Sequence, residues 1–375
     1  MKRLLIVGAG LSGATLARSL ADSGFKIRVI DERNHVAGNC HTRRDPDTGI
    51  MLHVHGAHIF HTDDERVWSF VNRFGDFEPY AHKVRVVSRG RVFSLPLNLL
   101  TINQLFGLAL GPAEAASFIR NLADKSITEP KNLEERALAT LGEEIYRAFF
   151  YGYTRKQWGR EPKDLPASLL ARLPVRFNYD DAYFNNRNQG LPRLGYTALV
   201  ENMLDHPHID LALDTAYEEA MKPEFGHVFY TGPLDRYFKF VHGRLPYRTL
   251  AFEWFAETGD HQGCAVMNYA DSAVPYTRII EHKHFSPWEN HSLTVCCRET
   301  PGECREGDIP YYPVRFAEDN TLLRRYQDMA ALEAGVTLAG RLGGFQYLDM
   351  DAAVAEALRL ADRFAETIRS NPARP

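Results

Sequence analysis

Residues 3–33, "RLLIVGAGLSGATLARSLADSGFKIRVIDER", narrow the possible folds of this chain more than any other stretch. The apolar run from Leu4 to Val7 predicts a buried strand. Leu11, Ala14, Ala17 and Leu20 then recur at helical spacing, and residues 27–30 read as a second strand. The pattern is a βαβ unit. Its turn carries Gly8, Gly10 and Gly13 at the G-x-G-x-x-G spacing, and Asp31 closes the second strand. Each position has a mechanical reason. Gly8 permits the turn, Gly10 lets backbone approach a pyrophosphate, Gly13 allows close helix packing, and Asp31 is placed to accept from ribose hydroxyls. A dinucleotide site follows from the glycines together with their setting, not from the glycines alone.

The remaining sequence fits a globular protein of several parts. At 375 residues and 45% hydrophobic composition, two or three packed cores are expected. The formal charge of −4, with no lysine or arginine run, argues against a nucleic-acid surface, so an anionic ligand must be held by a few local cations. The apolar run before Gly8 is too short for a signal-peptide core, and no eighteen-residue apolar stretch occurs. A cytoplasmic protein without membrane insertion is expected. Five cysteines, Cys40, Cys264, Cys296, Cys297 and Cys304, form an odd set without a C-x-x-C pair, which speaks against a disulfide framework or zinc ribbon.

Further along, Thr62 and Glu65 read as a capping box opening a helix with Val67, Phe70, Val71 and Phe74 on one face. A helical pattern runs from Pro96 to about Tyr153, with Pro112 in a first turn. After Tyr183 the runs "RTLAFEWFAE", "CAVMNYAD", "YTRIIEHKHF" and "SLTVCCRET" predict an antiparallel sheet. The C-terminal sixty residues return to a glycine-rich turn followed by a helix carrying Val354, Leu358, Ala361 and Ile368. The fold class is therefore α/β: a discontinuous Rossmann-like domain (1–76, 193–245 and 312–375), a helical insert (94–182), and an antiparallel sheet domain (77–93, 183–192 and 246–311).

The stretch "LHVHGAHIFHT" holds His53, His55, His58 and His61. A zinc site needs ligands on one face, usually with a carboxylate or cysteine, and H-E-x-x-H is absent, so no metal is expected. Gly56 marks a close backbone approach, and a flat cofactor would suit it.

Taken together, "GAHIFHT", "YGYTRKQWGREPKDLPASLLARLPVRF", "VPYTRIIEHKHF", "PYYPV" and "GRLGGFQYLDM" resemble the bacterial UDP-galactopyranose mutases, nearly end to end. That resemblance implies FAD, active when reduced, with flavin N5 as nucleophile at the anomeric carbon. It also implies interconversion of UDP-galactopyranose and UDP-galactofuranose without net redox change. UDP-galactose would be the small-molecule partner, NAD(P)H or a flavin reductase system the reductant, and a homo-oligomer is possible in this family. By motif match, Arg172 and Arg278 are the cations on the diphosphate, suited by their permanently charged forks, with Arg172 on a mobile lid. Tyr183, Tyr312 and Tyr347 match the phosphate-reaching tyrosines. Phe149, Phe150, Tyr153, Thr154, Trp158, Asn268 and His82 match the uridine and sugar pocket. Of the adjacent Phe149 and Phe150, at least one should turn away from the helix core. Gly8, Gly10, Leu11, Ser12, Gly13, Asp31, Glu32 and Asn39 match the adenosine and pyrophosphate half of the FAD site. Arg341, Asp349 and Met350 match its other phosphate and ribityl chain, and Gly56, Ala57 and His58 the loop against the flavin ring.

Three departures stand out. Ala37 occupies a position that is often glycine, His82 one that is asparagine in some members, and "GRLGGFQYLDM" has glycines where others carry larger residues. The rival readings are a mutase for another activated sugar such as a dTDP-6-deoxyhexose, an FAD-dependent oxidoreductase such as an amine oxidase, and a non-catalytic nucleotide-binding protein.

Overall fold

The N-terminal pattern folds as its spacing requires. Leu4–Val7 and Ile27–Ile30 pair in parallel through the helix Leu11–Asp22. The fold is that of a computed structural model, which describes residues 3–172, 174–314 and 320–370, with the side chains of Ala171, Arg172 and Asn320 outside that description. Three more parallel strands complete the first sheet, in the order Ile209–Ala212, Ile27–Ile30, Leu4–Val7, Val228–Tyr230, Val336–Leu338. The sheet is thus assembled from distant parts of the chain. Its central strand, Leu4–Val7, is apolar throughout because it is buried on both faces. The C-terminal helix Met350–Ser370 lies against Leu11–Asp22 in the principal core, where Leu16, Leu20, Val354 and Leu358 are all at most 3% exposed. At about 2 kcal/mol for each buried aliphatic chain, this seam contributes roughly 8 kcal/mol before chain entropy is counted.

A second sheet of seven strands runs Tyr312–Pro313, Tyr247–Thr258, Leu293–Glu303, Arg278–Glu281, Val266–Tyr269, Val84–Ser88, Arg91–Leu95. The expected antiparallel order holds except at one place, where Val266–Tyr269 and Val84–Ser88 pair in parallel. The long excursion between them explains this, because parallel neighbours need a crossover of a dozen residues or more.

The helical region packs on the second sheet, in a core that includes Val86 and Phe93. Leu99–Phe106 is capped by Asn98, Pro112–Leu122 starts on its proline, and Leu133–Leu141 is capped by Asn132. At Tyr146–Tyr151 the winding loosens to a π turn before Gly152–Trp158. The Thr62–Glu65 capping box does not form. The helix Glu65–Val71 is capped by Asp64, whose carboxylate accepts the N–H groups of Arg66 and Val67, while Thr62 is the last residue of a strand and its hydroxyl accepts from the Asp64 N–H. A carboxylate adjoining the helix serves two orphan donors at once, which the hydroxyl further back cannot.

Candidate functional site

At the carboxyl ends of the central parallel strands lies a deep cleft. Gly8, Gly10, Leu11, Ser12, Asp31, Glu32, Asn39, His58, Arg341, Asp349 and Met350 all line it. Gly8 has φ +105°, and a Cβ there would meet the Thr231 hydroxyl at 2.1 Å. Gly13 lies behind the cleft: a Cβ on it would fall 1.8 Å from the Gly8 carbonyl oxygen, so its hydrogen is what lets helix and turn touch. Gly56 and Ala57 are outside the lining, two residues and one residue before His58.

Asp31, in the cleft lining, also serves the fold. Its carboxylate is buried, with one oxygen accepting from the Ala9 N–H at 2.7 Å and the other from the Arg33 N–H at 2.9 Å. It braces the glycine turn. The next residue, Glu32, lines the cleft as well, and its carboxylate pairs with both forks of Arg236 at 2.6 and 2.7 Å. Hydrogen bonding to Arg236 holds the Glu32 carboxyl below its usual range.

Sequence reasoning missed Arg33. This arginine lines the cleft, gives one guanidinium N–H to Asn39 Oδ1 at 3.0 Å, and has a buried Nη1 without a hydrogen-bond partner among the described residues. A buried orphan cation aimed at a cavity fits an anionic ligand. Its position two residues after Asp31 was the available signal. Glycines that bring backbone close, a helix N-terminus at Leu11, and this guanidinium together fit the pyrophosphate of FAD.

A second cavity opens between the helical region and the second sheet. Phe149, Phe150, Tyr153, Thr154, Trp158, Tyr183, Asn268 and Tyr347 line it, with Leu97, Leu133, Leu169 and Leu170. Phe149 and Phe150 both face it and both are buried, where at least one was expected to turn from the helix core. The π turn over Tyr146–Tyr151 is the reason, since it rotates successive side chains by less than an α-helix does. Tyr312 and His82 are not in the lining. Tyr312 stacks on Tyr347 at 5.7 Å and 11°, and Arg341 lies over both rings, at 5.7 and 5.4 Å. Since Arg341 lines the first cleft and Tyr347 the second, this stack is the wall the two cavities share.

His82 sits behind Tyr183, accepting the Tyr183 N–H on its carbonyl at 2.7 Å. Its ring is buried, with Nδ1 unpartnered among the described residues, and burial aided by the nearby Arg278 charge lowers its pKa to about 3.

Of the two expected cations, Arg172 ends the turn Ala167–Arg172, and its side chain lies outside the described residues. Arg278 donates from Nη2 to the Tyr153 hydroxyl at 2.6 Å, and its Nε stands 3.2 Å from Glu299 Oε1, an ion pair out of hydrogen-bond alignment. Glu299 was also missed. It is 2% exposed, burial raises its carboxyl pKa against the opposing charge of Arg278, and its other oxygen lies 3.3 Å from where a Gly56 Cβ would be. Glu299 thereby stands between Arg278 and the turn leading to His58. Nothing in the run "CCRET" distinguishes it, because its value depends on the register that sets Glu299 opposite Arg278.

His58 is neutral, its pKa lowered to about 4 by burial, with Nδ1 2.8 Å from the Gly56 carbonyl. The four histidines of the stretch do not gather around one point. Among the described residues, three metal-type ligands come together at Asp260, Glu281 and His284. There Lys283 already pairs with Asp260, and Glu281 accepts three backbone N–H groups and the Thr294 hydroxyl.

Comparisons with known proteins agree with this architecture. Residues 148–347 match the family model of UDP-galactopyranose mutase, and residues 6–74 match the NAD(P)-binding Rossmann-like domain. A probable UDP-galactopyranose mutase of Klebsiella pneumoniae is 51% identical over 100% of this chain and 97% of its own length. A dTDP-fucopyranose mutase of Escherichia coli is 48% identical over 97% and 98%. In fold the chain is similar to a crystal structure of reduced UDP-galactopyranose mutase, with TM-score 0.74 at 15% identity, covering 100% of this chain and 98% of that one. No helix among the described residues is long and apolar enough to cross a membrane. The chain belongs to the UDP-galactopyranose mutase family, a family of isomerases.

Proposed function

We propose that this protein is a flavin-dependent mutase interconverting UDP-galactopyranose and UDP-galactofuranose, with FAD held in the glycine-lined cleft and working in its reduced form. The observation that carries the reading is the shared wall of Arg341, Tyr312 and Tyr347, with a dinucleotide-type cleft on one side and an aromatic cavity on the other. Reduced FAD supplies, through N5, a nucleophile for the anomeric carbon. The chain's own residues do the rest. Gly8, Gly10 and the orphan guanidinium of Arg33 hold the cofactor phosphates. Phe149, Phe150 and Trp158 offer flat faces to uracil, while Thr154 and Asn268 read its edge. Arg278, oriented by Tyr153 and Glu299, stabilises negative charge gathering on the departing diphosphate, and Arg172 joins it from its turn. Leu97, Leu133, Leu169 and Leu170 keep water from the open-chain sugar. A reductant such as NAD(P)H or a flavin reductase system would keep the enzyme active in the cytoplasm.

Chromatography of UDP-galactofuranose incubated with the flavin-loaded protein, with and without dithionite, tests this. Conversion to the pyranose only under reduction is expected. The 48% identical dTDP-fucopyranose mutase motivates a second reading, a dTDP-6-deoxyhexose as substrate, because one sugar hydroxyl changes only a few contacts. Faster conversion of dTDP-fucofuranose in the same assay would establish that one instead.

A further inference from the structure

The histidine stretch holds a device that the reading above does not use. His53 ends the strand Met51–His53 and is 4% exposed, with its ring 4.7 Å from Phe285 and 5.9 Å edge-on to Tyr196. Three of its polar groups are engaged at once. Its carbonyl accepts from the Gly56 N–H at 3.3 Å, its Nδ1 from the His58 N–H at 3.3 Å, and its own N–H donates to His282 Nδ1 at 3.2 Å. His282, fully buried, has Nε2 3.4 Å from the Cys297 sulfur.

Backbone N–H groups can only donate, so Nδ1 must be unprotonated in both rings, and each neutral imidazole carries its proton on Nε2. The direction of every link is thereby fixed: His58 N–H to His53 Nδ1, His53 N–H to His282 Nδ1, and His282 Nε2–H to Cys297. Ordinary turns close through backbone carbonyls. Here a side-chain nitrogen takes the N–H of the very residue whose ring lines the cofactor cleft, in a turn that Gly56 enters at φ +94°.

We propose that His53 is a positioning residue for the cofactor-facing turn, its Nδ1 fixing the peptide and ring of His58 from beneath. The inference rests on the flavin reading of the cleft for its consequence. Its first test does not depend on that reading.

Amide hydrogen exchange at His58 is measured with and without added FAD in the parent, His53→Asn, His53→Gln and His53→Leu proteins. Asparagine places an amide oxygen near the Nδ1 position, glutamine reaches only the Nε2 position, and leucine accepts nothing. Losing one hydrogen bond predicts His58 exchange faster by about tenfold in the leucine and glutamine variants, with asparagine within about threefold of the parent. In the FAD-loaded protein, the leucine and glutamine variants also shift the flavin midpoint potential and visible absorption, and kcat falls while KM for the sugar nucleotide holds.

Unchanged His58 exchange in the glutamine variant overturns the proposal, as does an asparagine variant that behaves like it. If the leucine variant fails to fold, the asparagine and glutamine pair decides alone. Altered exchange without any change in flavin potential overturns the positioning role and leaves a turn closure only. Failure of every form to bind flavin strikes the reading of the cleft, while the exchange result still judges the hydrogen bond.

Discussion

The two cavities are built in opposite ways. The cleft consists mainly of backbone brought close: a glycine turn, a helix start and strand ends, all supplied by a sheet whose first two strands lie within thirty residues of sequence. The aromatic cavity consists of side chains, from 149–158, Tyr183, Asn268 and Tyr347, which meet only after the whole chain has folded. Backbone sites tolerate exchange of many side chains but no added atom where chains touch. Side-chain sites tolerate small backbone shifts but not loss of a charge.

Substitution should separate them, and the largest effect is expected in the aromatic cavity. Arg278→Ala removes a guanidinium from a buried site and leaves Glu299 uncompensated. Turnover should fall about a thousandfold, roughly 4 kcal/mol, with flavin still bound. Arg172→Ala should act in the same direction. Steady-state rates and the flavin absorption of the purified variants check both, and loss of flavin in either would collapse the distinction between the two sites. In the cleft, Gly13→Ala forces a methyl to 1.8 Å of a backbone oxygen. It should destabilise the protein by about 3 kcal/mol and abolish FAD retention, read by urea unfolding and by flavin content. A stable, flavin-loaded Gly13→Ala protein would show that the helix can slide, and that backbone contact there is not limiting.

The third test addresses residues outside both linings, His82 and His282, which are buried with pKa values lowered to about 3 by burial. Unfolded, each would titrate near 6.5, so below that pH the unfolded chain binds protons that the folded one refuses. The stability these groups allow is complete above about pH 6.5 and is lost progressively as pH falls towards their folded values. At pH 5.5 each costs about 1.4 kcal/mol, or roughly 3 kcal/mol together. His53, shifted in the same direction, adds to this. Urea midpoints at pH 7.5 and 5.5 should differ accordingly. No difference would mean that these rings accept protons where they sit.

The same contrast explains what could be read from sequence. The βαβ unit and its glycines were legible because turn, helix start and strand are local patterns, and the π-turn phenylalanines, Tyr153 and Asn268 were reached through motif resemblance. What stayed hidden depends on register or on competition. Asp31 has the distance from the glycines that a ribose acceptor needs, but its second task, accepting the Ala9 and Arg33 N–H groups, could not be read from spacing. Glu299 is one acid among forty-eight Asp and Glu residues until the sheet register sets it opposite Arg278. Asp64 displaced Thr62 as helix cap for a similarly local reason: both residues have capping chemistry, and only the fold decides which one stands at the helix end.

Ala37 offers the smallest and finest test of the backbone-built cleft. It lies in the cleft lining at φ 71°, ψ −2°, a conformation that costs a non-glycine residue roughly 1–2 kcal/mol. Ala37→Gly relieves that strain. It also frees the unfolded chain, at about 0.5–1 kcal/mol, and removes a buried methyl worth about 0.8 kcal/mol. These terms nearly cancel, so the folding free energy should change by less than about 1 kcal/mol in either direction. Gly38→Ala next to it has no such compensation. Its φ is +53°, and its new methyl would stand 3.2 Å from the Gly10 Cα, so a loss of about 2 kcal/mol is expected. Urea titration of the two variants side by side reads both. If Ala37→Gly instead costs several kcal/mol, its methyl is a packing element of the cleft, and this part of the cofactor site depends on a side chain after all.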